Sequence, residues 1–391
     1  MSRFFDLVSK PARDLGTTNA PGRTPAALEL RSRLIKLDSN ENPFGPSAHV
    51  IDAMRGALSA SNSYPDDDCS QLRRALATHH EVPPEQVLVT AGSTAMLSLL
   101  CQTLLAPGLN AATSERTFVV YSMAVQAAGG HLIQTPMRTG EDSFDLEAIL
   151  DAIDSNTRIV FLANPNNPTG TMLEAEVVER FLARVPAHVV VVLDEAYYEF
   201  AQHFAALRKI KYSNSLEYVR QGASVVVLRT FSKAHGLAGL RVGYGLGPGE
   251  LLGYCARMRN TFSVSSVAQA AAIAAIDDAD HIRRVVENNL MQSRVLSQGL
   301  SALGYRVVPT SANFVYCDLG EDAAAVANRL QDEGVAVRPL GHWGAPNCIR
   351  VTVGTPEQNH AFLQAARRLE QGRLQQEKTG TRKTGTVGSA G

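Results

Sequence analysis

The sequence predicts an α/β fold, with a large, mostly parallel sheet wrapped by helices and a second, smaller α/β domain toward the C-terminus. Short runs rich in β-branched residues alternate with longer helical patterns, which is typical of such a sheet. The run at residues 189–193 is apolar on both faces, as expected of a central strand. A chain of 391 residues is long enough for two domains.

Six strands and one helix start can be placed from local sequence patterns. A turn rich in Pro and Asn closes the second strand, and a helix is predicted to begin near Thr94, directly after the first strand. The predicted strands cover residues 86–90, 158–163, 189–193, 224–228, 313–316 and 349–353.

Composition divides the chain into four predicted segments. The N-terminal part is rich in Pro, Gly and Arg, which is typical of an arm, and the last residues have almost no apolar side chains, which indicates disorder. The predicted segments are an N-terminal arm with part of the small domain at 1–45, a large domain at 46–280, the small C-terminal domain at 281–372 and a disordered tail at 373–391.

Charge and cysteine usage exclude several classes of protein. A formal net charge of −1 provides no field that favours nucleic acid or an anionic membrane. No apolar run is long enough to span a bilayer, and no histidine pair has the spacing of a metal site. The five cysteines are scattered, odd in number and never spaced as CxxC, which favours reduced thiols in a cytoplasmic protein.

Polar side chains follow four of the predicted strands. In an open α/β sheet, ligands bind outside the carboxyl ends of the strands, so these side chains are expected to converge on one crevice. Free backbone N–H groups at a helix start favour a phosphate. The side chains and turn residues concerned are Gly92, Ser93 and Thr94 after the first strand, Asn167 after the second, Asp194 and Tyr197 after the third, and Thr230, Ser232, Lys233 and Arg241 after the fourth.

Each of these residues also has an ordinary structural explanation. An Asp after a strand is often a helix cap, an Asn before a Pro is common in turns, and a loop Lys is usually solvated. Convergence of a phosphate cradle, an amide, a carboxylate and an amine at one sheet edge is hard to explain by chance. The set therefore predicts an active site.

Three segments resemble the signature blocks of the class I/II aminotransferases, which depend on pyridoxal phosphate. They are Asn-Asn-Pro-Thr-Gly at 166–170, Asp-Glu-Ala-Tyr at 194–197 and Thr-Phe-Ser-Lys-Ala-His-Gly-Leu-Ala-Gly-Leu-Arg-Val-Gly-Tyr at 230–244. Segments 37–43, 64–66 and 349–355 are most similar to the histidinol-phosphate aminotransferases within that family. The resemblance covers nearly the whole chain and implies an aspartate-aminotransferase-like fold.

The resemblance implies a role for each residue of the predicted site. Lys233 would carry the cofactor as a Schiff base and then move a proton, while Asp194 would keep the pyridine nitrogen protonated. Asn167 and Tyr197 would hydrogen-bond the ring oxygen, and Tyr197 is counted with the catalytic residues. The cofactor phosphate would be held by Gly92, Ser93, Thr94, Thr230, Ser232 and Arg241.

Further residues are implied at the edges of the site. Tyr121 would stack on the pyridine ring, and Tyr64 would reach the phosphate from the other subunit of a homodimer. Arg350, Arg338 and Asn42 are the candidates for binding the substrate, and an Arg pair can hold either a carboxylate or a phosphate. His235 and the pair His342–Trp343 are near the site in sequence and could shape the substrate pocket.

The predicted activity is transfer of an amino group between histidinol phosphate and 2-oxoglutarate. Transamination of an aromatic or other amino acid remains open, as does a lyase similar to phosphothreonine decarboxylase. A cofactor-binding regulatory protein is disfavoured because every catalytic position is intact. Two departures from the family pattern bear on the substrate. After the cradle glycine, the family often has an acidic residue or an amide followed by Glu, where this sequence has Ser93-Thr94-Ala95. In the N-terminal arm, residues 19–22 stand where the family usually has a Pro-Tyr pair.

Overall fold

Two sheets form the framework of the protein. The computed structural model describes residues 5–15 and 33–384, and side chains up to residue 373. The strands are β1 (Ile35–Leu37), β2 (Val87–Thr90), β3 (Asn110–Ser114), β4 (His131–Thr135), β5 (Thr157–Ala163), β6 (Val190–Asp194), β7 (Val225–Thr230), β8 (Gly243–Leu246), β9 (Arg306–Val308), β10 (Phe314–Asp318), β11 (Val335–Leu340) and β12 (Ala345–Thr352).

The larger sheet has seven strands in the order β2-β8-β7-β6-β5-β3-β4. Strands β4, β3, β5, β6 and β7 are parallel, and β8 runs antiparallel to both β7 and β2. All six residues of β7 are buried, as its run of β-branched and apolar side chains requires. β6 lies in the middle of the sheet, so the prediction of a central strand at 189–193 is confirmed.

Three strands of this sheet were not predicted. β3 has the sequence Asn-Ala-Ala-Thr-Ser and β8 has Gly-Tyr-Gly-Leu, and neither contains a run of β-branched residues. β4 at His131–Thr135 is the edge strand and is only partly buried. Their positions depend on neighbouring strands rather than on local propensity. The six strands that were predicted are all present within one to four residues of the expected ends.

Helices cover both faces of the larger sheet and one face of the smaller. Several begin at a side-chain cap: the hydroxyl of Ser47 accepts the Val50 N–H, and that of Ser265 accepts the Ala268 N–H. The helices are α1 (Lys10–Asp14), α2 (Ala48–Leu58), α3 (Ser70–His80), α4 (Ser93–Leu104), α5 (Val120–Ala127), α6 (Leu146–Asp151), α7 (Ala175–Leu182), α8 (Tyr198–Arg208), α9 (Ser215–Arg220), α10 (Gly249–Arg257), α11 (Ser266–Ile276), α12 (Ala279–Ser301), α13 (Ala323–Asp332) and α14 (Pro356–Thr384).

The smaller sheet has five strands in the order β1-β11-β12-β10-β9. β1 joins it from the N-terminal part of the chain and pairs parallel with β11. β11 and β12 are antiparallel, and this register places Arg338 directly opposite Arg350. Opposed residues of an antiparallel pair project from the same face of a sheet. The two guanidinium groups therefore leave the sheet side by side.

The predicted segment boundaries stay predictions, and the two terminal segments are only partly covered by the described residues. α14 continues to Thr384 and so enters the range that was expected to be a disordered tail. Residues 385–391, and residues 19–22 with their unusual arm sequence, lie outside the described residues. Within the described ranges, no helix is long and apolar enough to cross a bilayer.

Asn40 connects the two sheets. Its backbone N–H donates to Oγ1 of Thr352, the last residue of β12, at 2.9 Å, and its carbonyl oxygen accepts from Nδ2 of Asn313, directly before β10, at 3.1 Å. Its side-chain Nδ2 donates to the hydroxyl of Tyr197, just beyond β6, at 2.9 Å. The chain thus crosses the gap between the carboxyl ends of the large sheet and the face of the small one.

Candidate active site

A cavity of about 580 Å³ lies in this gap. One wall, the strand-tip wall, consists of residues at or after the ends of β2, β6 and β7, namely Ser93, Thr94, Asp194, Thr230, Ser232, Lys233 and Arg241. The opposite wall, the β11–β12 wall, consists of Arg338, Trp343 and Arg350. The cavity is lined by Ser39, Asn40, Glu41, Ser93, Thr94, Phe118, Val119, Val120, Ala163, Pro165, Asn167, Asp194, Ala196, Tyr197, Thr230, Ser232, Lys233, Ala238, Gly239, Arg241, Arg338, Trp343 and Arg350.

Lys233 enters the cavity from the loop after β7. Its Nζ donates to the carbonyl oxygen of Ser39 at 3.3 Å. Burial, reinforced by the positive charge of Arg350, lowers the pKa of Lys233 to about 8. The amine is therefore far more easily deprotonated than an exposed lysine, and a neutral amine can act as a nucleophile or a base.

Asp194 is the last residue of β6 and is 5% exposed. Burial raises the pKa of its carboxyl to about 6, and hydrogen bonds limit that rise by favouring the charged form. The hydroxyl of Tyr121 donates to Asp194 Oδ2 at 2.9 Å, and the Ala196 N–H donates to Oδ1 at 3.2 Å. Near neutral pH this residue presents a fixed carboxylate to the cavity.

The placement of Tyr121 corrects the prediction that its ring stacks on the cofactor. The ring is 0% exposed, does not line the cavity, and stacks on Phe161 with centroids 4.7 Å apart. α5 begins at Val120, and its first turn directs Tyr121 into the core, where the hydroxyl reaches Asp194. Phe118, which was not predicted, lines the cavity instead.

The start of α4 forms a concave surface rich in N–H groups. Gly92 precedes the helix with φ +84° and supplies no capping side chain, so the first helical N–H groups stay available. A Cβ on Gly92 would lie 2.8 Å from Arg241 Nη2, and one on Gly243 would lie 2.7 Å from the Ser93 N–H. Only glycine at these two positions allows the guanidinium and the backbone to approach so closely.

Two hydroxyl groups border the same surface. Thr230 Oγ1 accepts the N–H of Ser232 at 3.1 Å, which fixes the turn after β7. Arg241 Nη1 lies 3.5 Å from Ser232 Oγ and donates to the Ala238 carbonyl oxygen at 2.9 Å. All of the residues predicted to hold a phosphate, other than Tyr64, therefore meet at one end of the cavity.

Arg350 is buried on the opposite wall, 5% exposed. Its Nη1 donates to Asn167 Oδ1 at 2.5 Å and its Nη2 donates to the Asp38 carbonyl oxygen at 3.0 Å, while its Nε is buried without a hydrogen-bond partner among the described residues. Burial lowers the pKa of Arg350 to about 10, so the group remains a cation at neutral pH. Arg338 is more exposed, and its Nη2 lies 3.7 Å from Asp38 Oδ2.

Asn167 and Tyr197 lie between the two walls. Asn167 is 8% exposed and accepts the Arg350 hydrogen bond described above. Tyr197 is 4% exposed, and burial raises the pKa of its hydroxyl. Both side chains line the cavity together with Asp194 and Lys233.

Asn42 and Tyr64 are not part of this cavity. Asn42 Nδ2 donates to the Ala234 carbonyl oxygen at 2.8 Å, and its Oδ1 accepts the Phe44 N–H, so its amide supports the loop that holds Lys233. The substrate-binding role of Asn42 stays a prediction. Tyr64 is 82% exposed and stacks on Phe262 with centroids 4.5 Å apart, so it does not complete the site of its own chain.

Several lining residues were missed by sequence reasoning. Ser39, Asn40 and Glu41 come from the segment that links the two sheets, and only long-range contacts place them at the cavity. Phe118 lies three residues before Tyr121, so a second aromatic residue close to the predicted one was an available signal.

Comparisons with known proteins agree with this geometry. The family model for aminotransferase class I and II matches residues 32–365. The chain is 44% identical over 361 residues to histidinol-phosphate aminotransferase 2 of Pseudomonas aeruginosa, covering 92% of each protein. It is 41% identical over 339 residues to a histidinol-phosphate aminotransferase of Moorella thermoacetica, covering 86% of this chain and 85% of that one.

Solved structures show the same fold. Histidinol-phosphate aminotransferase of Sinorhizobium meliloti, in complex with pyridoxal-5'-phosphate, superposes with a TM-score of 0.84 at 29% identity, covering 94% of this chain and 98% of that one. A single mutant of Thermus thermophilus aspartate aminotransferase gives 0.79 at 27% identity, covering 92% and 99%. The predicted aspartate-aminotransferase-like fold is confirmed, and the chain belongs to the class I and II aminotransferase family and is an aminotransferase.

Proposed function

We propose that the protein is a pyridoxal-phosphate-dependent aminotransferase that transfers an amino group between histidinol phosphate and 2-oxoglutarate. The observation that carries the proposal is one cavity with Lys233 and Asp194 on one wall and the paired cations Arg338 and Arg350 on the other. The names of its relatives agree with this substrate.

The residues at the strand-tip wall fit pyridoxal phosphate in both charge and shape. Helix N–H groups, two hydroxyls and the Arg241 guanidinium suit a phosphate, and the cradle exists because Gly92 leaves room for Arg241. When bound, the cofactor supplies a carbonyl that accepts an amino group and a ring that withdraws electrons from the substrate α-carbon.

The residues of the chain provide the proton chemistry. Lys233 Nζ, with its pKa lowered to about 8, is the group that takes and returns a proton at the reacting carbon. The Asp194 carboxylate would favour a protonated ring nitrogen by its charge, and the Tyr121 hydroxyl holds that carboxylate in place. Asn167 and Tyr197 line the cavity beside Asp194 and would supply polar contacts to the ring oxygen, and Phe118 would cover one side of the ring.

Arg350 and Arg338 bind the anionic end of each substrate. Their opposed positions on antiparallel strands bring two cations together, and the nearby carboxylate of Asp38 offsets their repulsion only in part, so a substrate anion is favoured beside them. Histidinol phosphate carries a phosphate where 2-oxoglutarate carries a carboxylate, and an arginine fork accepts both. One subsite can therefore serve both halves of the reaction.

We further infer that the active form is a homodimer in the cytoplasm. Tyr64 is an aromatic residue at 82% exposure, held by a stacked Phe262, and its family counterpart contacts the phosphate of the other subunit. The five cysteines are free and buried, which fits a reducing compartment.

The direct test is a substrate panel with the enzyme saturated with pyridoxal phosphate and with 2-oxoglutarate as acceptor. We expect kcat/KM for histidinol phosphate to exceed that for phenylalanine by at least about 100-fold, because a phosphate carries more charge and more acceptor oxygens for the two arginines than a carboxylate does. Equal values would reject the proposed donor in favour of an amino acid. Carbon dioxide release from phosphothreonine without glutamate formation would instead identify a lyase.

A further inference from the structure

The β11–β12 wall contains an aromatic residue for which the proposed reaction gives no role. Trp343 is the single tryptophan of the chain and stands in the short turn Gly341–Trp343 between the strands that carry Arg338 and Arg350. It lines the cavity, while its ring packs beside Leu340, Ala345 and Tyr316 of the small sheet.

Trp343 is one of two aromatic residues that enclose the Arg350 guanidinium. The guanidinium carbon lies 6.0 Å from the Trp343 ring and 5.4 Å from the Phe314 ring. A cation between two aromatic faces is attracted to both, and this attraction restricts its rotation. The ring of Trp343 therefore helps to fix the orientation of the buried cation.

Two hydrogen-bond donors on this wall have no acceptor. The indole N–H of Trp343 and the Nε of Arg350 are both buried without a partner among the described residues. Buried donors in folded proteins are nearly always paired, so an unpaired one points to a missing ligand. Both donors belong to residues that line the cavity, so an anion bound there is the candidate acceptor.

The number of donors bears on which anion fits. Two of the Arg350 N–H groups are already used, by Asn167 and by the Asp38 carbonyl. A phosphate ester presents three terminal oxygens and a carboxylate presents two, so a phosphate gains more from an additional neutral donor. An indole N–H adds a donor without adding charge.

We propose that Trp343 is a specificity-determining residue, which positions Arg350 with its ring and donates its indole N–H to a phosphate but not to a carboxylate. The proposal rests on the proposed function, because it assigns the anion subsite to the substrate. It names the phosphate monoester as the ligand class for which this subsite is built.

The first experiment uses Trp343 as the only indole fluorophore of the enzyme with its cofactor bound. Titration with inorganic phosphate should change the emission with saturation, at the concentration at which phosphate inhibits competitively against the amino donor. Acetate at the same ionic strength should change it far less. Inhibition by phosphate without any change in emission would overturn the proposal.

The second experiment compares Trp343→Phe, which keeps an aromatic ring but lacks the N–H, with Trp343→Leu, which lacks both. For Trp343→Phe we expect the inhibition constant of inorganic phosphate to rise about tenfold, the usual effect of losing a hydrogen bond to a charged group, while KM for 2-oxoglutarate changes less than about twofold. Trp343→Leu should raise both constants, because Arg350 loses its positioning ring. Cofactor absorbance confirms that each variant is folded.

Equal phosphate inhibition of the wild type and Trp343→Phe would refute the indole donor. That result is distinct from failure of the proposed function. If the enzyme turns over histidinol phosphate rapidly and Trp343→Phe keeps the wild-type inhibition constant for phosphate, only the role of Trp343 is rejected. If phosphate changes the emission but histidinol phosphate is not turned over, only the proposed donor is rejected.

Discussion

The two walls of the cavity differ in how completely their polar groups are paired. On the strand-tip wall, Asp194 receives two hydrogen bonds and the turn of Ser232 is fixed by Thr230. On the β11–β12 wall, Arg350 and Trp343 each keep a buried donor without a partner in the described part of the chain. The first wall is organised before any ligand binds, and the second is completed by an anion. Changes to the first should therefore alter chemistry and cofactor affinity, and changes to the second should alter substrate binding.

The largest effect is expected at the strand-tip wall, for Lys233→Ala. Loss of the amine removes both the attachment point of the cofactor and the proton carrier, so kcat should fall by at least about 10⁴-fold. Steady-state glutamate formation measures this. Thermal unfolding serves as the control, because removal of an amine that is costly to bury should leave the fold intact. A variant with more than about one hundredth of wild-type activity would contradict the role of Lys233.

Asp194→Asn tests the fixed carboxylate of the same wall. The amide oxygen can still accept the Tyr121 hydrogen bond, so the change removes charge with little change in shape. We expect kcat/KM to fall on the order of 10³-fold, as when a preorganised electrostatic group is removed from an active site. An effect confined to KM of the substrate would show that Asp194 belongs functionally to the other wall.

Arg350→Gln tests the β11–β12 wall, and the comparison predicts a different kinetic signature. Loss of the buried cation should raise KM for both substrates and lower kcat/KM by about 100-fold, the usual effect of one or two charge-assisted hydrogen bonds. The matched variant Arg338→Gln should have a smaller effect, because that side chain is more exposed. A normal KM with a reduced kcat in Arg350→Gln would contradict the division between the walls.

Tyr121→Phe sharpens the comparison through pH. The Asp194 carboxyl has a pKa of about 6, so in the enzyme without cofactor the carboxylate is present above that pH and is lost as the pH falls through it. Cofactor affinity should decline in the same range. Because the Tyr121 hydroxyl favours the charged form, its removal raises the pKa and moves the midpoint to higher pH, with affinity near pH 7 reduced about tenfold. Cofactor titrations at several pH values measure this, and an unchanged midpoint would show that Tyr121 only packs.

A complementation experiment concerns Tyr64, which belongs to neither wall of its own chain. Tyr64→Ala and Lys233→Ala should each be weak or inactive alone. In a mixed dimer, the subunit that keeps Lys233 receives Tyr64 from its partner, so one of the two sites is intact. Unfolding and refolding the two variants together at equal amounts should restore about a quarter of wild-type activity, since half of the dimers are mixed and each has one working site. No recovery in a mixture shown to contain mixed dimers would place Tyr64 outside the neighbouring site.

The strand-tip wall could largely be predicted from the sequence because its residues follow strands whose apolar runs are visible. Asp194, Thr230 and Lys233 all stand at or just after such runs, and the sheet brings strand ends together by rule. The helix start at Ser93 was also expected, since glycine and small polar residues precede it. Local pattern and sheet topology are sufficient for this half of the site.

The other half depends on contacts that local pattern does not contain. The amide of Asn42 donates to the Ala234 carbonyl, far away in sequence, and no local pattern indicates that contact. Tyr121 and Phe118 are three residues apart, nearly one helical turn, and only the helix start at Val120 decides which ring faces the core. The register that sets Arg338 opposite Arg350 depends likewise on strand pairing.

The central claim is that the amine of Lys233 holds pyridoxal phosphate in the cavity. Reduction of the enzyme with its cofactor by sodium borohydride, followed by peptide mass spectrometry, tests it most directly. We expect the mass of the reduced cofactor on the peptide containing Lys233 and on no other lysine, and no such label in Lys233→Ala. A label on a different lysine, or a wild-type enzyme that binds the cofactor without becoming labelled, would contradict the claim.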